Sequence, residues 1–213
     1  MKKAWITQIA IAAALTVGGA SSAFAAPTPC AGLPSADTSD FTYRGTNATA
    51  CQFVSGNDQD NKVDGLFGVA DWDMLSKIEK GEPGSEDKTI TINGLSLTFS
   101  IDLVSYNAGT GAGQYELVVS PLDSALLPLD LSLMGVLKQA NGFVAFNLSP
   151  ARIETTDNTG TFRTDFWVNS TGKTTIDYSH VSFWGANYVP CTGPDCGGGG
   201  DDDNPVPEPG SLA

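Results

Sequence analysis

Positive charge is scarce in this chain. Eleven lysines and arginines stand against 24 aspartates and glutamates, a formal balance of −13. Phosphate backbones need a basic surface, so nucleic-acid binding is excluded. Histidine is nearly absent too. With His180 as the only one, an H-E-x-x-H zinc site cannot be built. No serine or cysteine stands in a nucleophile-elbow sequence. The glycines of "GTGAG" at 109–113 are not followed by Lys and Ser/Thr, so they read as a turn and not a phosphate loop. No catalytic residue, metal or cofactor is expected. His180 shares a strand face with Tyr178, Ser182 and Trp184, opposite Val181 and Phe183. It reads as a solvated or hydrogen-bonded strand histidine rather than a base.

What is present begins with a leader. Lys2 and Lys3 precede an apolar run from Ile6 to Val17, and Ala23 and Ala25 set small residues before Ala26. That is the pattern of a secretory signal peptide cut by signal peptidase after residue 25. Cleavage removes two lysines and no acid, so the exported chain is more acidic still. Pro27-Thr28-Pro29 before Cys30 lacks the pattern of a lipoprotein box, so Cys30 is not expected to carry lipid.

Four cysteines follow the leader: Cys30, Cys51, Cys191 and Cys196. An even count in an exported chain predicts two disulfides. Closeness in sequence favours Cys30–Cys51 with Cys191–Cys196, and the competitor joins Cys30 to Cys191. The spacings are not those of a zinc site.

The body alternates with period two. Leu97, Phe99, Ile101 and Leu103 share a face, as do Tyr115, Leu117 and Val119. Val144, Phe146 and Leu148 form a third set, Phe162, Thr164, Phe166 and Val168 a fourth, and Val181 with Phe183 a fifth. Turn signals separate them at Asn93-Gly94, 109–113, Asn141-Gly142, 157–160 and Thr171-Gly172. Further strands are expected at 41–45 and 66–73. "WDMLSKIEKG" fits a short helix or a strand equally. The pattern predicts an all-β fold, an antiparallel β-sandwich of jelly-roll-like form. One domain spans 26–190, after a leader at 1–25.

Three weak site signals remain. Asp71, Asp73, Glu116 and Asp165 are the nominal acids for glycoside chemistry, which is recognised by carboxyl separation rather than by motif. "GNDQDNKVDG" at 56–65 is rich in oxygen ligands. However, Lys62 stands where an EF-hand needs an acid or Asn, and a polar loop is the plainer reading. Trp72, Trp167 and Trp184 could stack on sugars or fill the core.

The chain ends in a spacer and a stiff peptide. Residues 191–205 form a Gly/Asp-rich linker, and Val206, Pro207, Glu208 and Pro209 follow within the last segment, 206–213. The prolines fix an extended backbone and leave Glu208 displayed. Leader, β-domain, tether and this motif together resemble the PEP-CTERM proteins of Gram-negative bacteria. "VLKQANGFVAFNL", "GTFRTDFWV" and "YSHVSFWG" also resemble one of the extracellular domains common among them. The resemblance implies sorting by an exosortase-like processing enzyme, a destination in the cell envelope, surface or matrix, and an association with exopolysaccharide. With no catalytic motif among the residues, the leading reading is a non-enzymatic surface or matrix protein. The alternatives are a carbohydrate- or calcium-binding lectin-like module and a glycoside-active enzyme. The apolar helix and basic tail of the sorting signal are missing after Ala213, and the coding sequence is expected to continue into them.

Overall fold

Phe41 shows how the layers meet. In the computed structural model, which describes residues 26–190 apart from 83, 123, 168–173, 175 and 176, its ring lies between two β-layers. It stacks on Phe146 with centroids 5.2 Å apart and meets Phe183 edge-on at 5.7 Å. The same ring touches Tyr115 and Phe162 on its own side.

The strands, in chain order, are β1 (Pro29–Cys30), β2 (Leu33–Asp37), β3 (Phe41–Tyr43), β4 (Thr46–Asn47), β5 (Ala50–Ser55), β6 (Asp73–Glu79) and β7 (Glu86–Ile92). They continue as β8 (Leu95–Asn107), β9 (Ala112–Ser120), β10 (Leu129–Gln139), β11 (Gly142–Asn147), β12 (Ala151–Ile153), β13 (Thr159–Arg163) and β14 (His180–Pro190). β1 and β2 form a separate ribbon. The others make one antiparallel sheet in the order β4-β3-β13-β9-β8-β7-β6-β14-β10-β11-β5, with β12 beside β10. The sheet curls over itself at the β6–β7 junction, giving a sandwich-like all-β domain.

The expected alternation builds the interior. Leu97, Phe99, Ile101, Tyr115, Leu117 and Val119 come from one layer, and Val144, Phe146, Val181 and Phe183 from the other. All join one buried core. Each such side chain withdrawn from water contributes about 1.5–3 kcal/mol before conformational entropy is charged against it.

The β6–β14–β10–β11–β5 layer is apolar on both faces at its centre. Phe143 and Ala145 are as buried as Val144 and Phe146. On the outer face they join Met134, Val136, Trp184 and Ala186, capped by Val63 and Trp72. The cover is residues 56–72, a strap that includes one short helix, α1 (Asp60–Val63).

Several local expectations change. The strand expected at 66–73 does not form. Leu66–Gly68 is a 3-10 turn with Phe67 at φ 55, and the strand begins at Asp73. "WDMLSKIEKG" supplies that strand, β6. The strand expected to run from Phe162 to Val168 ends at Arg163. Beyond it, Thr164 donates its amide to Gly111 and Trp167 donates back to Thr164, which closes a turn. Val168 lies outside the described residues. The hairpin expected at Asn141-Gly142 forms one residue early, over Ala140-Asn141, because Gly142 pairs with Gln139. A Cβ on Gly142 would lie 2.5 Å from the Phe53 ring, so the position opens the strand without a side chain.

Cys30 and Cys51 are bridged, with Cα atoms 4.7 Å apart. This excludes the Cys30–Cys191 alternative. Cys191 and Cys196 lie outside the described residues. The bridge fastens the N-terminal ribbon to β5, the outermost strand of its layer. Ala31 pairs in parallel with Gln52, donating to the Cys51 carbonyl at 3.0 Å and accepting from Phe53 at 2.8 Å. An open strand edge invites pairing with other chains, and this one is partly covered. Closing a loop of 21 residues stabilises the fold by about 3 kcal/mol in the chain-entropy account.

The core predicts one sharp sensitivity. A Cβ on Gly135 would sit 2.6 Å from two atoms of the Phe41 ring, which is held among four other rings. Gly135→Ala is therefore expected to destabilise the domain by about 2 kcal/mol in urea unfolding. An unchanged midpoint would show that Phe41 has room to shift.

Candidate functional site

The strap is held down by carboxylates. Asp64 accepts the Trp72 amide at 3.0 Å, and the Trp72 indole donates to the Leu66 carbonyl at 3.3 Å. Gly65, Phe67 and Gly68 all have positive φ, which turns this stretch tightly enough for Val63 and Trp72 to reach the same apolar face. Asp58 anchors the opposite end. Its Oδ2 lies 2.7 Å from His180 Nε2 and accepts the Ser182 hydroxyl at 2.9 Å. The Trp184 indole donates to Ser182 Oγ at 3.0 Å. His180, Ser182 and Trp184 alternate along the outer face of β14, the face assigned to them from sequence. Asp58 joins them from 122 residues away.

These residues are Ser, His and Asp, but they are not wired for nucleophilic catalysis. A working triad needs the imidazole to take the serine proton. Here Ser182 donates to the carboxylate itself, and its oxygen accepts from an indole. The His180 and Asp58 side chains are 9% and 6% exposed, and Nδ1 of His180 lies 3.6 Å from Glu79. The arrangement satisfies a buried carboxylate, which would otherwise be costly. Burial pushes the Asp58 carboxyl up. The hydrogen bond and charge of His180 and the Ser182 hydroxyl outweigh it and hold the group below the usual carboxylate value.

The loop at 56–65 thus spends Asp58 and Asp64 on internal bonds. Among the described residues no three His, Cys, Asp or Glu side chains are grouped to hold a metal ion. The tryptophans fill the interior: Trp72 is 4%, Trp167 7% and Trp184 2% exposed. Trp167 packs against Phe53 and Phe166. None offers an open platform for a sugar.

The four acids singled out for glycoside chemistry are dispersed. Asp71 is exposed at the end of the strap. Asp73 opens β6 and accepts the Tyr188 hydroxyl at 3.2 Å. Glu116 lies on β9 opposite Thr159 and Asp102. Asp165 follows β13 and forms an ion pair with Arg163. Asp73 borders a cleft. That cleft, of about 570 Å³, is bounded by Asp58, Gln59 and Asp60 of the strap, by Asp73 and Met74 of β6, and by Lys88, Thr89 and Ile90 of β7. Trp72 and Trp184 form its inner wall.

A second unusual carboxyl had no sequence signal. Asp40 is 7% exposed and accepts the Asp37 amide at 2.8 Å, while Asp37 caps the Ser39 amide at 2.7 Å. Burial is the main cause of its rise to about 6, with the Asp37 charge adding to it.

Ala26 is exposed at the start of the described residues. Ala23, Ala25 and the motif Val206, Pro207, Glu208 and Pro209 lie outside them. Compared with family models, curated proteins and solved structures, the chain matches none.

The two acids give opposite pH dependences. Asp58 has a lowered folded-state value. Its contribution is present above the unfolded value near 3.8 and is lost as pH falls through the folded one. Asp40 has a raised value, so its contribution is complete below 3.8 and lost as pH rises through about 6. Asp40→Asn should therefore stabilise the domain at pH 8, by about 1 kcal/mol after solvent screening, and have little effect at pH 3.5. Asp58→Asn should cost about 2 kcal/mol at pH 7, and less at low pH. Thermal unfolding of each variant across pH checks both signs, and parallel wild-type and mutant profiles would contradict them.

Proposed function

We propose that this chain is a non-enzymatic exported module, delivered to the cell envelope, surface or surrounding matrix. An exosortase-like enzyme reads Val206-Pro207-Glu208-Pro209 and acts after signal peptidase has removed residues 1–25. The Cys30–Cys51 bridge is the observation that carries the reading. It fastens the first described strand to the edge of the sandwich, and such a bond persists in an oxidising compartment. The wiring of the buried polar groups supports the non-enzymatic part, since Ser182 and His180 are both committed to Asp58. The lectin-like and glycoside-active alternatives gain nothing from the buried tryptophans or the scattered acids.

Expression of the full coding sequence in a host carrying exosortase tests this. The leader should be removed, Cys30 and Cys51 should resist thiol labelling, and the protein should fractionate with envelope or medium. Glu208→Gln should block the second processing step while leaving the β-domain folded, because the only charge in the proline-flanked peptide is lost. A cytoplasmic product with reactive thiols would overturn export. Unaltered processing of the Glu208 variant would overturn recognition through that carboxylate.

A further inference from the structure

The β6–β7 hairpin is zipped at one end only. Ser76 pairs with Asp87 and Lys77 with Glu86, and the register stops there. Continued pairing would set Leu75 against Lys88, Met74 against Thr89 and Asp73 against Ile90. Instead the strands separate, and these residues bound the 570 Å³ cleft: Asp73 and Met74 on one side, Lys88, Thr89 and Ile90 on the other.

The cause lies in β6. Its register against β14 shifts between Phe183 and Trp184, which pair with Ser76 and Met74 and leave Leu75 as the extra residue. Leu75 and Ser76 are consecutive, and both are wholly buried. Such a bulge bends its strand and increases the local twist. It draws β6 toward the outer layer while β7 stays with β8, to which it pairs from Lys88 to Ile92. Along that stretch β7 has a partner on one side only. Half of its peptide groups face the cleft with no ladder partner among the described residues.

We propose that this slot receives an extended segment of another polypeptide carrying lysine or arginine, which adds as a strand to the free edge of β7. Strand addition supplies affinity through main-chain hydrogen bonds, and alternate side chains supply selectivity. Charge sets the sign of the partner. Asp60 and Asp73 stand exposed at the slot with no ion pair among the described residues, against the single cation Lys88. The chain as a whole carries −13. Apolar lining comes from Met74, Ile90, Trp72 and Trp184. A cationic polysaccharide would satisfy the carboxylates but offers no regular row of peptide groups for β7, so the free edge favours a peptide.

The probe is a short acetylated peptide alternating valine and lysine, added to the full chain. Amide hydrogen exchange and chemical shifts are read by NMR. The expected result is that exchange within residues 88–92 slows about tenfold or more at saturation, with shift changes centred on β7. The double variant Asp60→Asn, Asp73→Asn should weaken binding about tenfold, with little change in melting temperature, because both side chains are exposed and an Asn at 73 keeps an oxygen to accept the Tyr188 hydroxyl. Three results would overturn the proposal. Equal protection by a control peptide alternating valine and glutamate would remove the charge argument. Equal protection by chitosan oligomers would make the slot a polycation site without strand addition. Protection elsewhere, or none at millimolar peptide, would mean the cleft is only a fold in the sheet.

Discussion

The seating of the Phe41 ring over Gly135 is the contact on which the two layers depend. β3 has only three residues and lies next to the end of its layer. By ladder bonds alone it would be among the weakest parts of the sheet. Its ring nevertheless reaches across to β10, β11 and β14. The absence of a side chain at Gly135 lets it approach closely enough to stack on Phe146 and meet Phe183. Tyr115 closes the same cluster, with its ring 4.8 Å from Phe183 and its hydroxyl donating to the Thr42 carbonyl at 2.6 Å. Aromatic pairs of this kind contribute about 0.5–1.5 kcal/mol each beyond the area they bury. Small edge strands are thereby fixed by side chains rather than by ladder length.

The second constraint follows from the composition of β10, β11 and β14. Their residues are apolar on both faces, so a two-layer sandwich would leave one face in water. The strap at 56–72 covers it, and the covering segment is the most acidic loop of the body. Closing it places Asp58 in a nearly dry position. Three polar side chains of β14, His180, Ser182 and Trp184, are linked to meet that one carboxylate. What looks in isolation like catalytic vocabulary is the cost of covering the outer face with an aspartate-rich loop.

Where a strand had one wet face and one dry face, the sequence was readable. Leu97 to Ile101 and Tyr115 to Val119 alternate strictly, and their burial alternates with them. Legibility failed where both faces are dry or where backbone shape decides. "FVAF" at 143–146 conceals its second buried set because all four side chains are apolar, so periodicity carries no information there. Residues 66–73 are apolar enough to suggest a strand, but the left-handed backbone at Phe67 and its flanking glycines makes a turn. The carboxylate partner of His180 had no local signal, since Asp58 lies in a polar loop that composition alone marks as solvated. Asp40 was equally hidden, as its burial comes from tertiary packing. The leader and the Val-Pro-Glu-Pro peptide belong to a different kind of legibility, one of short motifs read without any fold.

The same tension shapes the corner of the sheet. A strand shared between two layers must satisfy both, and strict alternation prevents it from facing one core and then the other. β6 departs from alternation with an extra residue: Leu75 enters the inner core while Met74 packs with the outer cluster. Ser76 is carried inside as a consequence, and its hydroxyl is buried with no hydrogen-bond partner among the described residues. An orphaned hydroxyl of this sort costs about 1–3 kcal/mol. A hairpin bent in this way cannot keep pairing along its length, because β7 holds an unshifted register with β8. The opened edge, the orphaned serine and the two-faced burial of β6 are therefore one feature with one cause, the passage of a single sheet around two hydrophobic clusters.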